Sequence, residues 1–335
     1  MQLIVNNHHI LLIISVTFFA SVILVPIVRI LAKHVGAVDI PDERKVHTKI
    51  TPRLGGIAIF LAFLIGYLFF ARMSTQMISI LISSFFIIIL GIFDDIKPIR
   101  ARYKFIVQII AASIIVLYGH IYFDEVSAFG LNIDFGVLSY PLSILFIVAI
   151  INAINFIDGL DGLAAGISSI YFATIAVIAF ILNRIGGLDV ILCLIMLGST
   201  LGFLIYNFNP ASIFMGDTGS MFLGLMIAVI SLLGFKAATV TSLIVPILIL
   251  FLPLIDTILA IFRRLIKGEN IGKPDKEHLH HQLLKLNKST KKTVLIMYGI
   301  STLCAIISVF YALGDNNLAI LLYIALLIII AFLIL

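Results

Sequence analysis

Met77-Ile78-Ser79-Ile80-Leu81-Ile82-Ser83-Ser84-Phe85-Phe86-Ile87-Ile88-Ile89-Leu90-Gly91-Ile92-Phe93-Asp94-Asp95 runs seventeen residues without a charge and ends on two adjacent carboxylates. As a helix, such a run is at the short end of what crosses a hydrocarbon core of ~30 Å. Outward from it the apolar pattern recurs. Eleven runs lie near 10–32, 55–71, 77–93, 103–122, 139–155, 162–182, 188–207, 218–235, 241–262, 293–313 and 317–335. Hydrophobic residues make up 62% of the chain and charged ones 12%, whereas a soluble globule is roughly 45–50% apolar and about 25% charged. The composition therefore excludes a soluble domain. It predicts an all-α integral membrane protein, a single polytopic domain over 1–335 with about eleven transmembrane helices.

The first run is too long for the apolar part of a signal peptide, and no Lys or Arg precedes it, so it is expected to stay as a helix. Cys193 and Cys304 fall inside apolar spans without pairing or metal-ligand spacing, as small core residues do. Lys and Arg segregate: nineteen fall in alternate loops (Arg29 to Arg53, Lys97 to Lys104, Arg263 to Lys292) and three, Arg72, Arg184 and Lys236, on the other side. That bias predicts the N-terminus outside and the C-terminus cytoplasmic. Between 123 and 138, Leu131, Ile133 and Phe135 alternate with Asn132 and Asp134 beside Gly130 and Gly136, which predicts a small outer β-hairpin.

The acids gather in the loops of the cation-rich side. At the end of a helix the negative charge of Asp94 and Asp95 opposes the macrodipole, so a cation should compensate: Lys97, Arg100 or Arg102 in an ordinary ion pair, or a divalent metal. Asn152, Asn155, Asp158 and Asp161 recur every third residue where the fifth run leaves the membrane, forming a polar stripe. Asp161 also reads as the N-cap of the sixth helix. Asp217 precedes a helix as well, but Gly216 and Gly219 beside it would let backbone approach a ligand, and a helix N-terminus favours phosphate. Asn209 and Phe214 share that loop, where an aromatic ring could stack on a base. Asp256 lies within the ninth run, seven and eight residues before Arg263 and Arg264, and should face the bundle interior. His278, His280 and His281 sit among Lys273, Lys276, Lys285 and Lys288. That setting suits a phosphate or diphosphate better than a His-only zinc site. His8, His9 and His120 read as interfacial.

These residues bear a resemblance. His47-Thr48-Lys49-Ile50-Thr51-Pro52 with Gly55-Gly56, Asp94-Asp95, Ala101-Arg102-Tyr103-Lys104, the stretch from Asn155 to Gly162, Met215 to Ser220, and His278-Leu279-His280-His281 together resemble the polyprenyl-phosphate N-acetylhexosamine-1-phosphate transferases. The likeness covers most of the chain, with six strings in the family's order. It implies transfer of a sugar 1-phosphate from a UDP-N-acetylhexosamine to undecaprenyl phosphate, releasing UMP, at the cytoplasmic face of a bacterial membrane. The cofactor implied is Mg2+, with Mn2+ as the alternative. Position by position, Asp217 resembles the metal ligand, with Asp158 beside it, and Asp94 and Asp95 the paired catalytic acids. Asn155, Asp158, Asp161, Asn209 and Phe214 resemble nucleotide-site residues, with Asp158 and Asp161 counted among the catalytic acids too, and Asn152, on the same polar stripe, is expected to bind substrate. Lys49 and Lys104 resemble phosphate contacts, and His278, His280 and His281 the histidine motif. The His-Leu-His-His form is closer to the GlcNAc-1-phosphate branch than to the phospho-MurNAc-pentapeptide branch, the alternative.

The chemistry asks for the same parts. A phosphate monoester is largely dianionic at neutral pH, so repulsion between two anions outweighs any need for a base, and phosphoryl transfer is catalysed mainly by positioning and neutralisation. Direct attack on the β-phosphorus, with Asp94 or Asp95 orienting the acceptor, is the expected route; an aspartyl-phosphate intermediate is its competitor. A secondary transporter is the rival of another class, but transporters place key polar groups near the midplane, often in repeated halves. Here the acids lie at one face. Expected partners are the two substrates and the bilayer, with a homodimer allowed and no nucleic acid.

Overall fold

The computed structural model of the chain describes residues 7–41, 50–123, 125–128, 131–182, 186–237, 244–266, 268 and 279–334. Thirteen α-helices are found among the described residues: α1 Asn7–His34, α2 Gly55–Phe70, α3 Thr75–Ile96, α4 Ala101–Ser113, α5 Ser139–Ile157, α6 Leu163–Ile181, α7 Leu188–Asn207, α8 Gly216–Ala237, α9 Ile244–Ile249, α10 Phe251–Ile266, α11 Leu279–Asn287, α12 Thr290–Ala312 and α13 Asn316–Ile334. Eight of the segments are long and apolar enough to cross a membrane, and Gly55–Phe70 and Asn317–Ile328 are shorter apolar helices. Eight of the eleven expected spans qualify by this measure among the described residues, and the run at 317–335 lies in α13, Asn316–Ile334. Within the run at 241–262 the described residues, 244–262, form not one helix but two, broken at Leu250. Pro253 supplies the reason: it has no N–H to return to the preceding turn and its ring crowds the carbonyl four residues back.

A helix apolar all round belongs in the middle of a bundle, and α8 is that helix. Its Gly216–Gly234 stretch is 94% buried, against 22% for the apolar window of α1, and α2, α3, α5, α6 and α7 all pack on it. Close approach is needed where α3 meets it. A Cβ on Gly91 would collide with the backbone of Thr218, so the glycine three residues before Asp94 lets the acid pair reach the start of α8. On the rim, α1 lies against α7 and α2, and α12 against α6 and α13.

Two small antiparallel pairs are also found among the described residues. β1 (Val38–Asp39) pairs with β2 (Thr51–Pro52) in the register Val38↔Pro52, an element the apolar pattern did not announce. β3 (Glu125–Ala128) pairs with β4 (Leu131–Asp134), Val126 opposite Ile133, which is the hairpin that the period-two alternation predicts. The β1–β2 pair feeds α2 from the end of the bundle where α3 and α5 finish and where α4 and α8 begin. There the 51–56 strip is laced to the residues before α8. Phe214 N–H donates to Pro52 O at 2.8 Å, and the N–H groups of Gly55 and Gly56 donate to Phe214 O and Met215 O at 3.0 and 2.9 Å.

Candidate active site

Asp94, at the last turn of α3, accepts from the Ile99 backbone N–H through Oδ1 at 2.7 Å and from Lys104 Nζ through Oδ2 at 2.8 Å. The same Lys104 ammonium is 2.7 Å from Asp217 Oδ2. One lysine on the first turn of α4 therefore joins the ends of α3 and α8, and the two carboxylates lie within two hydrogen-bond lengths of each other.

Asp95 does different work. Its Oδ1 accepts the Asp217 N–H at 2.9 Å, and its Oδ2 accepts the Thr218 N–H at 3.1 Å and the Thr218 hydroxyl at 2.7 Å. The first N–H groups of a helix have no partner within it. Asp95, 122 residues away in sequence, supplies one from another helix, and its charge suits the positive end of the dipole. Arg53 stands 3.4 Å from Asp95 and 3.7 Å from Asp39, completing a chain Asp39–Arg53–Asp95–α8. Burial works against the Arg53 charge, but Asp95, Asp39, Asp217 and Asp158 outweigh it and raise its pKa. Gly216 is required for this cap: its φ is +73°, and a methyl there would strike the Asp95 carboxylate.

The stripe at the end of α5 divides into two uses. Asn152 is tied into the bundle, its amide donating to Gln108 of α4 at 2.7 Å and to Val148 O at 2.8 Å. Asn155, one turn on, donates to Ser220 at 2.8 Å and also bonds Asp217. Asp158 follows at the helix end. Burial pushes its carboxyl up to about 8, with Asp217, Asp95 and Asp161 adding to the rise and Arg53 opposing it. Asp161 holds the neighbouring loop, accepting from Asn209 at 2.9 Å and from the Ala211 N–H at 3.0 Å.

Counted together, six interacting carboxylates (Asp39, Asp94, Asp95, Asp158, Asp161 and Asp217) face two cations, Arg53 and Lys104, among the described residues. Among the described residues, the cation surplus of this side of the sequence does not extend to this cluster, in which carboxylates outnumber cations. No group of three or more His, Cys, Asp or Glu side chains among the described residues is arranged to hold a metal by itself. All the donors are carboxylate oxygens, the type Mg2+ prefers, and Mg2+ usually takes only one or two of them alongside phosphates and water. The residues fit such an ion.

A family model described as Glycosyl transferase family 4 matches residues 77–235. The chain is 43% identical over 294 residues to a Bacillus subtilis (strain 168) protein named probable undecaprenyl-phosphate N-acetylglucosaminyl 1-phosphate transferase, covering 87% of this chain and 82% of that protein. The chain belongs to this transferase family. It is also 37% identical over 335 residues to the decaprenyl-phosphate N-acetylglucosaminephosphotransferase of Mycobacterium tuberculosis (90% of this chain, 82% of that one). To the undecaprenyl-phosphate alpha-N-acetylglucosaminyl 1-phosphate transferase of Haemophilus influenzae it is 32% identical over 309 residues (88% and 85%).

In this family member Asp94, Asp95, Lys104, Asn155, Asp158, Asp161, Asn209 and Asp217 come together at one end of the bundle, as their placement in the sequence leads one to expect. Phe214 joins them through its backbone, in a bridge with Arg53. Three expectations change. The cation paired with Asp94 is Lys104, and the one paired with Asp95 is Arg53, not Lys97, Arg100 or Arg102. Asp161 is not the N-cap of α6: Gly162 holds that position at φ 78° with no side-chain cap, while Asp161 ties down the Asn209 loop. Asp217 does not cap its own helix either, because Asp95 does so. His280 and His281 lie on α11, and Lys49 and His278 fall outside the described residues. Arg53 and Thr218 were missed as site residues. Arg53 had a signal, since it stands between Pro52 and Gly55-Gly56 in one of the matching strings, but a lone arginine there gives no hint of its partner.

Proposed function

We propose that this transferase moves N-acetylglucosamine 1-phosphate from UDP-GlcNAc to undecaprenyl phosphate, releasing UMP and leaving a lipid diphosphate sugar, as the first membrane step of a cell-surface glycan pathway such as teichoic acid synthesis. The observation that carries the reading is the Lys104 bridge between Asp94 and Asp217, set beside Asp158 at the bundle end where the strings around Pro52, Asp95, Lys104, Asn155 and Asp217 meet. Relatives bearing GlcNAc-1-phosphate transferase names support the sugar. The Lys and Arg bias supports placing this end in the cytoplasm, with the N-terminus outside.

Each side chain then has a task. Asp94 keeps its orientation through the Ile99 N–H and Lys104, and is the acid placed to orient the acceptor phosphate or take its residual proton. Asp95 has no such freedom, because α8 and Arg53 occupy both of its oxygens. Lys104 offers a point charge to phosphate oxygens. Asn155, Asn209 and Phe214 form the nucleotide and diphosphate side, and Lys49, His278, His280 and His281 are assigned to phosphate by the sequence resemblance alone. Asp217, with Asp158, would hold Mg2+ or Mn2+, which when bound neutralises diphosphate charge that the acidic centre would otherwise repel. An oxygen of the lipid phosphate bonds to the β-phosphorus as the bridge oxygen to the α-phosphorus leaves with UMP. Incubating the purified protein with labelled UDP-GlcNAc and undecaprenyl phosphate tests this: label should enter lipid with release of UMP. Label that enters only from UDP-MurNAc-pentapeptide, or that crosses vesicles unchanged, would refute it.

A further inference from the structure

Lys104 occupies a place suited to a cation. Its ammonium lies between Asp94 Oδ2 and Asp217 Oδ2, at 2.8 and 2.7 Å, while the Ile99 N–H covers the other oxygen of Asp94. In a centre where carboxylates outnumber cations, the ammonium holds two acids together that would otherwise repel each other. We infer that Lys104 is the internal counter-ion of the Asp94 and Asp217 carboxylates, and that it is released to bind substrate phosphate when Asp217 takes up a divalent cation. This rests on the reading of Asp217 as the metal ligand.

Three features support the exchange. An ammonium and a divalent ion repel each other and compete for the charge of one carboxylate, so metal uptake by Asp217 weakens its hold on Lys104. Lysine suits a movable role: its charge is compact and its four-carbon stem flexible, and here its side chain is 24% exposed, leaving it a path outward. Arg53 differs, since the Asp95 it pairs with is fixed by three further bonds to α8. The released ammonium would also remain at the first turn of α4, an end of a helix that favours anions. Metal uptake would thus turn a lysine-bridged acid pair into a site with a cation free for phosphate, so that the anion binds after the metal.

The test needs no turnover. Mn2+ binding to the detergent-solubilised full chain is measured by electron paramagnetic resonance without substrates. Lys104→Gln should bind Mn2+ about tenfold or more tightly than wild type, because two charge-assisted bonds no longer compete with the ion. Lys104→Arg should bind it no more tightly than wild type. Independently, acylation of the Lys104 amine in the wild-type protein, read by mass spectrometry, should rise when Mg2+ is added, which keeps the inference testable if a variant does not fold. Unchanged or weaker Mn2+ affinity in Lys104→Gln, or labelling that Mg2+ leaves unaltered, overturns it. Asp217→Asn separates this from the underlying reading: if that variant binds Mn2+ as wild type does, the metal assignment itself fails.

Discussion

Asp95→Asn is the substitution that separates a strap from a catalytic acid. In the structure the Asp95 carboxylate is buried, accepts three hydrogen bonds from the start of α8 and faces Arg53 at 3.4 Å. Asparagine keeps the volume and one acceptor oxygen, but it turns an NH2 group toward donors and leaves Arg53 without its ion pair. Losing a helix cap costs ~1 kcal/mol and at most about 2. Breaking a buried pair costs about 3–5 kcal/mol, to be discounted here because Arg53 is partly exposed. About 3 kcal/mol in all is expected. With an unfolding entropy of ~2.1 cal/mol/K per residue, that lowers the melting temperature by roughly 4 °C. Activity should fall along with stability, since Asp217 loses its register, and Mn2+ affinity should weaken. The assay is thermal unfolding in detergent together with metal binding. If Asp95→Asn melts like the wild type and binds Mn2+ equally well, yet loses turnover, Asp95 is a chemical participant and the strap is wrong.

Gly216→Ala forces a side chain into a left-handed position and against Asp95; a loss of about 1–3 kcal/mol in stability is expected, with activity falling further than in an alanine variant of a lipid-facing residue. Asp217→Asn should nearly abolish turnover while the protein still inserts and unfolds cooperatively; wild-type activity would leave Asp217 no role in the reaction. With its carboxyl pushed up to about 8, Asp158 is mostly protonated at neutral pH, and the protonated form is a poor ligand. Divalent-ion affinity should therefore climb as pH is raised toward and through 8 and level off above it. Calorimetry in buffers of different ionisation enthalpy should show a proton released on binding, and Asp158→Asn should flatten both effects.

Much of the arrangement was legible in the sequence because a bilayer imposes a strict grammar on length and charge. Apolar runs located the helices, the alternation of Leu131, Ile133 and Phe135 located the hairpin, and the collection of acids at one set of helix ends located the site. What stayed hidden depended on partners distant in sequence. An acid pair at a helix end looks alike whether its neighbours are local cations or the N–H groups of a helix more than a hundred residues on, so Asp94 and Asp95 could not be told apart. The stripe from Asn152 to Asp161 has a uniform period, but the helix ends partway along it, placing Asn152 against Gln108 and Asp161 against Asn209. The break at Leu250 was missed because hydropathy continues across it unchanged, and only Pro253 marks it.

A cap delivered from another helix also sets a timetable. α3 leaves the ribosome more than a hundred residues ahead of α8, so during synthesis Asp95 waits for the backbone it will hold, and α8 cannot present Asp217 correctly until the two meet. A chain interrupted before that meeting has its acids but no assembled centre, and it cannot spend the lipid carrier.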